Sequence, residues 1–134
     1  MAGKLIVIEG LDSSGKQTQT ELLCKALSEK GIPVKKISFP CYDSDSSALV
    51  KMYLAGKFGQ NAEDVNPYAA SSFYAVDRYA SFKTDWSEHY NNGGIVVADR
   101  YTTSNMIHQA GKISDLVERD KYLKCVTFSY EVCR

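Results

Sequence analysis

Leu5-Ile6-Val7-Ile8 runs directly into Glu9-Gly10-Leu11-Asp12-Ser13-Ser14-Gly15-Lys16-Gln17-Thr18 near the start of this 134-residue chain. An unbroken apolar run of that length reads as a strand buried on both faces. Gly10 and Gly15 enclose four residues and Lys16 follows. This is the spacing of a loop whose backbone N–H groups wrap phosphate oxygens while the lysine reaches the terminal ones. The surroundings fit, because Leu22, Leu23, Ala26 and Leu27 beyond the loop form an apolar face at helical spacing. The competing reading is a glycine-rich turn between strand and helix that holds nothing. One position departs from the pattern. A Ser or Thr is wanted immediately after the lysine, as a hydroxyl ligand for Mg²⁺, and here Gln17 stands there with Thr18 one further along. Either the glutamine carbonyl ligates weakly or Thr18 substitutes.

Working outward, Lys4 to Glu9 is the first strand and Gly15 to about Lys30 the first helix, stopped by Gly31 and Pro33. Val34 to Phe39 reads as a second strand. Strand, helix and strand in so short a span form a βαβ unit, for which parallel pairing and a right-handed crossover are favoured. The fold class is therefore α/β. Pro40 to Ser47 is a polar loop at the outgoing end of the second strand, where open α/β sheets carry ligand contacts. A short amphipathic helix follows through Leu49, Val50, Met52, Tyr53 and Leu54. Asn66-Pro67 opens a long helix to about His89, with Tyr68, Phe73, Tyr74, Tyr79, Phe82 and Trp86 expected mostly in the core. Asn92-Gly93-Gly94 turns the chain into Ile95-Val96-Val97-Ala98, a third apolar strand ending at Asp99.

Composition narrows the class without naming a ligand. Lys+Arg and Asp+Glu balance at 16 each, and 44% hydrophobic with 24% charged residues is ordinary for one soluble globular domain. A single domain over residues 1–134 is expected, and nothing advertises nucleic acid or a membrane surface. The start Met1-Ala2-Gly3-Lys4 has no signal-peptide regions and no apolar run reaches spanning length. A cytoplasmic location is the corresponding expectation. Cys24, Cys41, Cys125 and Cys133 lack metal-ligand spacing and read as reduced thiols, and His89 and His108 add no ligand cluster. Asp-Arg-Tyr occurs at 77–79 on a helix and at 99–101 at a strand end, settings too different for a repeat.

Asp99 stands where an apolar strand stops, the place at which phosphate-loop proteins put a carboxylate near Mg²⁺ and the reacting phosphates. Arg100 beside it can offer a bidentate fork to a phosphate. The plainer alternative makes Asp99 the cap of a helix starting near Thr102 and Arg100 a surface charge. Asp12 has its own plain alternative, a solvated loop carboxylate.

Taken in order, the loop with Asp12 inside it, Phe39-Pro40, Phe73-Tyr74-Ala75-Val76-Asp77-Arg78, and Asp99-Arg100-Tyr101-Thr102-Thr103-Ser104 resemble the thymidylate kinase family over residues 3 to about 125. The Asp-Arg-Tyr-x-x-Ser segment after an apolar strand is the most specific element. The resemblance implies a P-loop NTPase-type parallel sheet flanked by helices, and ATP-dependent phosphorylation of dTMP to dTDP in dTTP biosynthesis. It implies ATP as phosphoryl donor, Mg²⁺, and a homodimer. Gly10, Leu11, Asp12, Ser13, Ser14, Gly15, Lys16, Gln17 and Thr18 would hold ATP. Asp12, Phe39, Pro40, Tyr74, Arg78, Arg100 and Gln109 would hold dTMP, with Tyr74 stacked on the base and Arg78 on the phosphate. Asp12, Lys16, Asp99 and Arg100 would serve the transfer, and Thr18 and Asp99 the metal.

The chain also departs from that family. Tyr42 stands where many members carry an arginine, and His108-Gln109-Ala110 replaces the usual Tyr-Gln-Gly. In the family a mobile lid with arginines and two more strands follow the last helix, so three strands of an expected five are present. The first strand is then expected at a bare edge, an invitation to association. Residues 121–134 mix helical and β-type signals at Cys125-Val126-Thr127-Phe128, and helix is the reading taken. Two alternatives are carried: a non-catalytic nucleotide-binding fragment of such a kinase, and a deoxynucleoside kinase. A GTPase is disfavoured by the lack of Asn-Lys-x-Asp, and a transporter-type ATPase by the lack of Leu-Ser-Gly-Gly-Gln.

Overall fold

The computed structural model describes residues 3–132. Strands β1 (Lys4–Ile8), β2 (Val34–Ser38) and β3 (Ile95–Asp99) form a parallel sheet in the order β1-β3-β2. Helices α1 (Lys16–Glu29), α2 (Ala48–Leu54), α3 (Pro67–Ser81), α4 (Ser87–Asn91), α5 (Thr103–Ala110) and α6 (Leu116–Val132) complete the α/β fold. Between α3 and α4 the chain makes a π-helical turn, Phe82–Trp86.

The first two strands do not pair with each other, as the βαβ reading implied; β3 lies between them. The reason is in their side chains. Val96, Val97 and Ala98 of β3 have no exposed surface, and a strand apolar on both faces gains most from the centre. β2 carries Lys35 and Lys36, which an edge tolerates. Lys36 Nζ lies 3.1 Å from Glu21 and Lys35 Nζ 2.5 Å from Asp85, both in solvent-exposed pairs. β1 takes the other edge, as expected, with Val7 38% exposed.

Two compact units result, each from two stretches of chain: Met1–Phe39 with Ser81–Tyr101, and Pro40–Ala80 with Thr102–Arg134. The first holds the sheet, with α1 packed on all three strands and α4 on β3. The second is helical. Ala110, Tyr122 and Val126 form its buried cluster, with Tyr68, Met106, Ile113 and Leu123 packed around them. The β-type signals at 125–128 are thus overridden: Val126 faces this cluster, so tertiary packing settles a segment whose local preference is weak. Cys133 and Arg134 lie outside the described residues.

The long helix begins at Pro67 as read, but its aromatics are less buried than expected. Of the six, Trp86 is 3% exposed, Tyr79 is 47% exposed and the remaining four are half-buried. Phe82, Trp86 and Tyr90 stack edge to face along the π turn, at 4.6 and 6.0 Å between successive centroids. Edge-to-face geometry suits aromatic quadrupoles and needs no full burial.

Gly15 enters α1 with φ +84°, a left-handed backbone that L side chains adopt only with strain. Gly15→Ala is expected to lower stability by roughly 1–2 kcal/mol. Open space surrounds the would-be Cβ, so no clash contributes. Urea unfolding measures it, and an unchanged midpoint contradicts the left-handed backbone.

Candidate active site

All three strands end in step. Ile8 and Ser38 both sit opposite Asp99 in the ladder, so the segments leaving the sheet emerge side by side at its carboxyl edge. Ligands of open α/β sheets bind at that edge. The loop after β1 closes by a turn in which Ser14 N–H donates to the Leu11 carbonyl at 3.3 Å. Ser13 within it has φ +60°. A Cβ on Gly10 would come 2.8 Å from Ser14 Oγ and 3.4 Å from Lys16 Cγ, so a larger residue there would require the Ser14 side chain to turn aside.

Lys16 is 9% exposed and its ammonium donates across the loop to the Leu11 carbonyl. Two of its protons remain for other acceptors. The first turn of α1 carries no acidic residue. Its N-terminal N–H groups and the positive end of the helix dipole therefore face the loop without a neutralising carboxylate, an arrangement that suits an anion. Gln17 does not turn toward the loop: its Nε2 donates to Glu21 at 3.2 Å, one helical turn on. Lys36 and, secondarily, Gln17 hold the Glu21 carboxyl below the ordinary range. Thr18 is exposed on α1.

The segment after β3 is bound to this loop from several directions. Arg100 N–H donates to the Ile8 carbonyl at 3.0 Å and Tyr101 N–H to the Glu9 carboxylate at 3.0 Å. Arg100 sits at φ +64°, left-handed and strained for an arginine, and its guanidinium pairs with Asp12. On the other side Phe39 N–H donates to the Asp99 carbonyl at 3.2 Å, and the Phe39 ring meets Tyr101 edge to face at 5.4 Å. Asp99 is not the cap of α5. That helix starts at Thr103 with Thr102 at its N-cap position and no side-chain cap bond. Asp99 Oδ1 is buried and makes no hydrogen bond within the protein. A buried carboxylate oxygen without a donor needs a cation or a bound water, so this position fits Mg²⁺ or its water shell.

The structure thus brings Asp12, Lys16, Asp99 and Arg100 into one loop cluster with Phe39 beside Asp99. Pro40, Tyr74, Arg78 and Gln109 belong to the helical unit. There, Arg78 is 5% exposed and Asp77 1%. Asp77 accepts from the Cys41 N–H at 2.8 Å and the Ser46 hydroxyl at 2.5 Å, fixing the polar loop read from the sequence. The Tyr74 ring meets Tyr53 edge to face at 6.4 Å. Gln109 is 2% exposed and donates to the Tyr53 hydroxyl at 3.2 Å. One turn before it on α5, Asn105 donates to Ser71 Oγ at 3.2 Å. The amide oxygens of both Asn105 and Gln109 are buried without a hydrogen bond in the protein.

A family model described as thymidylate kinase matches residues 8–122. The chain belongs to the thymidylate kinase family. It is 32% identical over 114 residues to the thymidylate kinase of Mycobacterium tuberculosis, covering 83% of this chain and 51% of that protein. To the thymidylate kinase of Plasmodium falciparum it is 29% identical over 119 residues, covering 84% and 50% respectively. The solved structure of thymidylate kinase from Candida albicans superposes with a TM-score of 0.71 at 26% identity, over 97% of this chain and 56% of that one. The chain spans about half the length of the curated relatives it matches.

Several residues with defined partners in one or the other unit escaped the sequence reading. Glu9 looks like the end of a strand, yet it carries the hydrogen bond that secures Tyr101. Asn105 lies four residues before Gln109 on α5, and the helical i,i+4 spacing could have paired them. Tyr53 and Lys112 left no local signal, because their meeting joins residues 59 apart in the chain.

Proposed function

We propose that this chain binds ATP on the loop from Gly10 to Thr18 and dTMP through Asp12, Phe39, Pro40, Tyr74, Arg78, Arg100 and Gln109. The reaction moves the γ-phosphoryl group of ATP onto a phosphate oxygen of dTMP. The bond from phosphorus to the bridging oxygen breaks, a bond to the dTMP oxygen forms, and ADP and dTDP leave. The observation that carries this reading is the tie between the loop and the strand end: Arg100 paired with Asp12, and Tyr101 with Glu9. It sets a phosphate loop beside an arginine and an unpartnered carboxylate oxygen in one cluster.

The acceptor is already an anion, so the protein's work is positioning and neutralising charge rather than deprotonating a nucleophile. Lys16 supplies a cation to the donor's terminal phosphates. Arg100 supplies a fork to the acceptor phosphate, exchanging its Asp12 partner for a phosphate with better bidentate geometry. Tyr74 offers a ring face to the base and Arg78 a second cation. Asp99 with Thr18 would hold Mg²⁺, which would supply positive charge against the donor phosphates. The chain works in this reading as a cytoplasmic, single-domain enzyme of dTTP synthesis that forms a homodimer and uses neither nucleic acid nor membrane. No helix among the described residues is long and apolar enough to cross a membrane.

The test separates the nucleotides formed from ATP and Mg²⁺ with either dTMP or thymidine as acceptor. Formation of dTDP from dTMP, with thymidine unchanged, is expected. Phosphorylation of thymidine would replace this reading with a deoxynucleoside kinase. Equilibrium binding of both nucleotides without transfer would replace it with a non-catalytic nucleotide-binding protein.

A further inference from the structure

Two donors converge on one phenol oxygen in the helical unit. The Lys112 ammonium lies 2.8 Å from the Tyr53 hydroxyl and the Gln109 amide nitrogen 3.2 Å. The same ammonium stands 5.2 Å from the centroid of the Tyr53 ring. That ring in turn meets Tyr74 edge to face at 85°. Lys112 lies just beyond α5, whose last turn carries Gln109, so one tyrosine on α2 is tied to both the end of α5 and the middle of α3.

The consequence falls on Gln109. A primary amide offers two donors at nitrogen and an acceptor at oxygen. With Nε2 engaged by Tyr53, the end left over is Oε1, which is buried and has no hydrogen bond within the protein. Asn105 repeats the arrangement one turn earlier, its nitrogen engaged by Ser71 and its oxygen left over. Leaving a buried amide oxygen unpaired is costly unless a ligand supplies a donor.

We propose that Tyr53 and Lys112 are positioning residues that set base selectivity: together they engage the Gln109 amide nitrogen, leaving its oxygen as the end without a partner, and seat the Tyr74 ring, so that the site accepts a pyrimidine bearing a ring N–H. This rests on the assignment of Gln109 and Tyr74 to the base of dTMP. Thymine carries a ring N–H where cytosine has a bare ring nitrogen, so an unpaired amide oxygen accepts from the first and repels the second. Discrimination of this kind follows from the unpaired polar group that the wrong ligand leaves behind. Burial raises the Tyr53 phenol, and the hydrogen bonds from Lys112 and Gln109 outweigh it, leaving its ionisation below the ordinary range. The cation is thus coupled to the phenol electrically as well as sterically.

Two variants that keep the shapes test the assignment, Tyr53→Phe and Lys112→Met. In the ligand-free protein the Tyr53 ring carbon resonance, assigned by its loss in Tyr53→Phe, is titrated with base. Lys112→Met is expected to move that titration upward, since the donor and the positive charge go while burial stays. Equilibrium dialysis then measures dTMP, dCMP and ATP. Both variants are expected to weaken dTMP about five- to tenfold, to narrow the preference for dTMP over dCMP, and to leave ATP affinity unchanged. An unmoved titration overturns the Lys112–Tyr53 coupling. Variants that bind dTMP and dCMP as the wild type does overturn the positioning role while the nucleotide reading stands. A wild-type protein that binds ATP but no dTMP, with the titration still shifting, overturns the acceptor reading and this role with it.

Discussion

Lys16→Met is expected to weaken ATP binding about 10- to 100-fold while shifting the urea midpoint little. Hydrogen bonds to a charged group contribute roughly 1.5–3 kcal/mol, and each 1.4 kcal/mol is about a factor of ten in affinity. In the free protein the Lys16 ammonium rests on the Leu11 carbonyl, so binding exchanges one acceptor for a more strongly charged one. That exchange keeps the net effect below what a free ammonium would give. The stability effect is small for a separate reason. Leu11 is 83% exposed, so water replaces the lost donor at its carbonyl. Calorimetric titration with ATP reads the first number and urea unfolding the second. Unchanged ATP affinity would remove Lys16 from the phosphate site, and a large drop in stability would mean that the lysine chiefly holds the loop closed.

Tyr122→Ala carries the largest expected stability loss, about 3–5 kcal/mol, the range for truncating a large buried aromatic. Tyr122 has no exposed surface, meets Tyr68 edge to face at 5.3 Å, and shares a 2.7 Å hydrogen bond with Ser71. Small domains have only about 5–15 kcal/mol in total, so this substitution endangers the helical unit outright. Tyr122→Phe separates the contributions. It keeps the ring and removes only the hydroxyl, for an expected loss of about 0.5–1.5 kcal/mol. If the two variants unfold at the same urea concentration, the hydroxyl rather than the packed ring carries the effect. Ser71 also accepts from Asn105. The phenylalanine variant therefore reports as well on whether the amide pair of α5 needs this hydroxyl network.

The sheet was legible because its strands obey one-dimensional rules. Three apolar runs with glycine or proline punctuation and a helical period between the first two leave little freedom in element type. The ends of β1, α1, β2 and β3 accordingly fall within a residue of their expected places. Their order was another matter. Which strand sits in the middle depends on the competition between Val96-Val97-Ala98 and the lysines of β2 for full burial, and local pattern does not contain that comparison. The same holds for the aromatics of the long helix, whose half-burial depends on what packs over them. Residues 121–132 are helical because Tyr122 and Val126 fall on one side and meet α5, against the weak β preference of Val126 and Thr127.

Function divided along a similar line. The Gly10 to Lys16 spacing, the loop aspartate and Asp99-Arg100-Tyr101 were readable because each is a short segment whose chemistry is set by neighbours in the chain. The resemblance these segments carry pointed to the family that the chain belongs to. Folding supplied the partners: Asp12 with Arg100, Glu9 with Tyr101, Gln17 turned away to Glu21, and Gln109 held by Tyr53 and Lys112. These pairs join positions as much as 92 residues apart. Local sequence specifies which groups are present and the conformations they prefer. Hydrogen-bond partnership at such separations exists only once the chain has collapsed, when burial makes an unpaired donor or acceptor costly and so selects who meets whom.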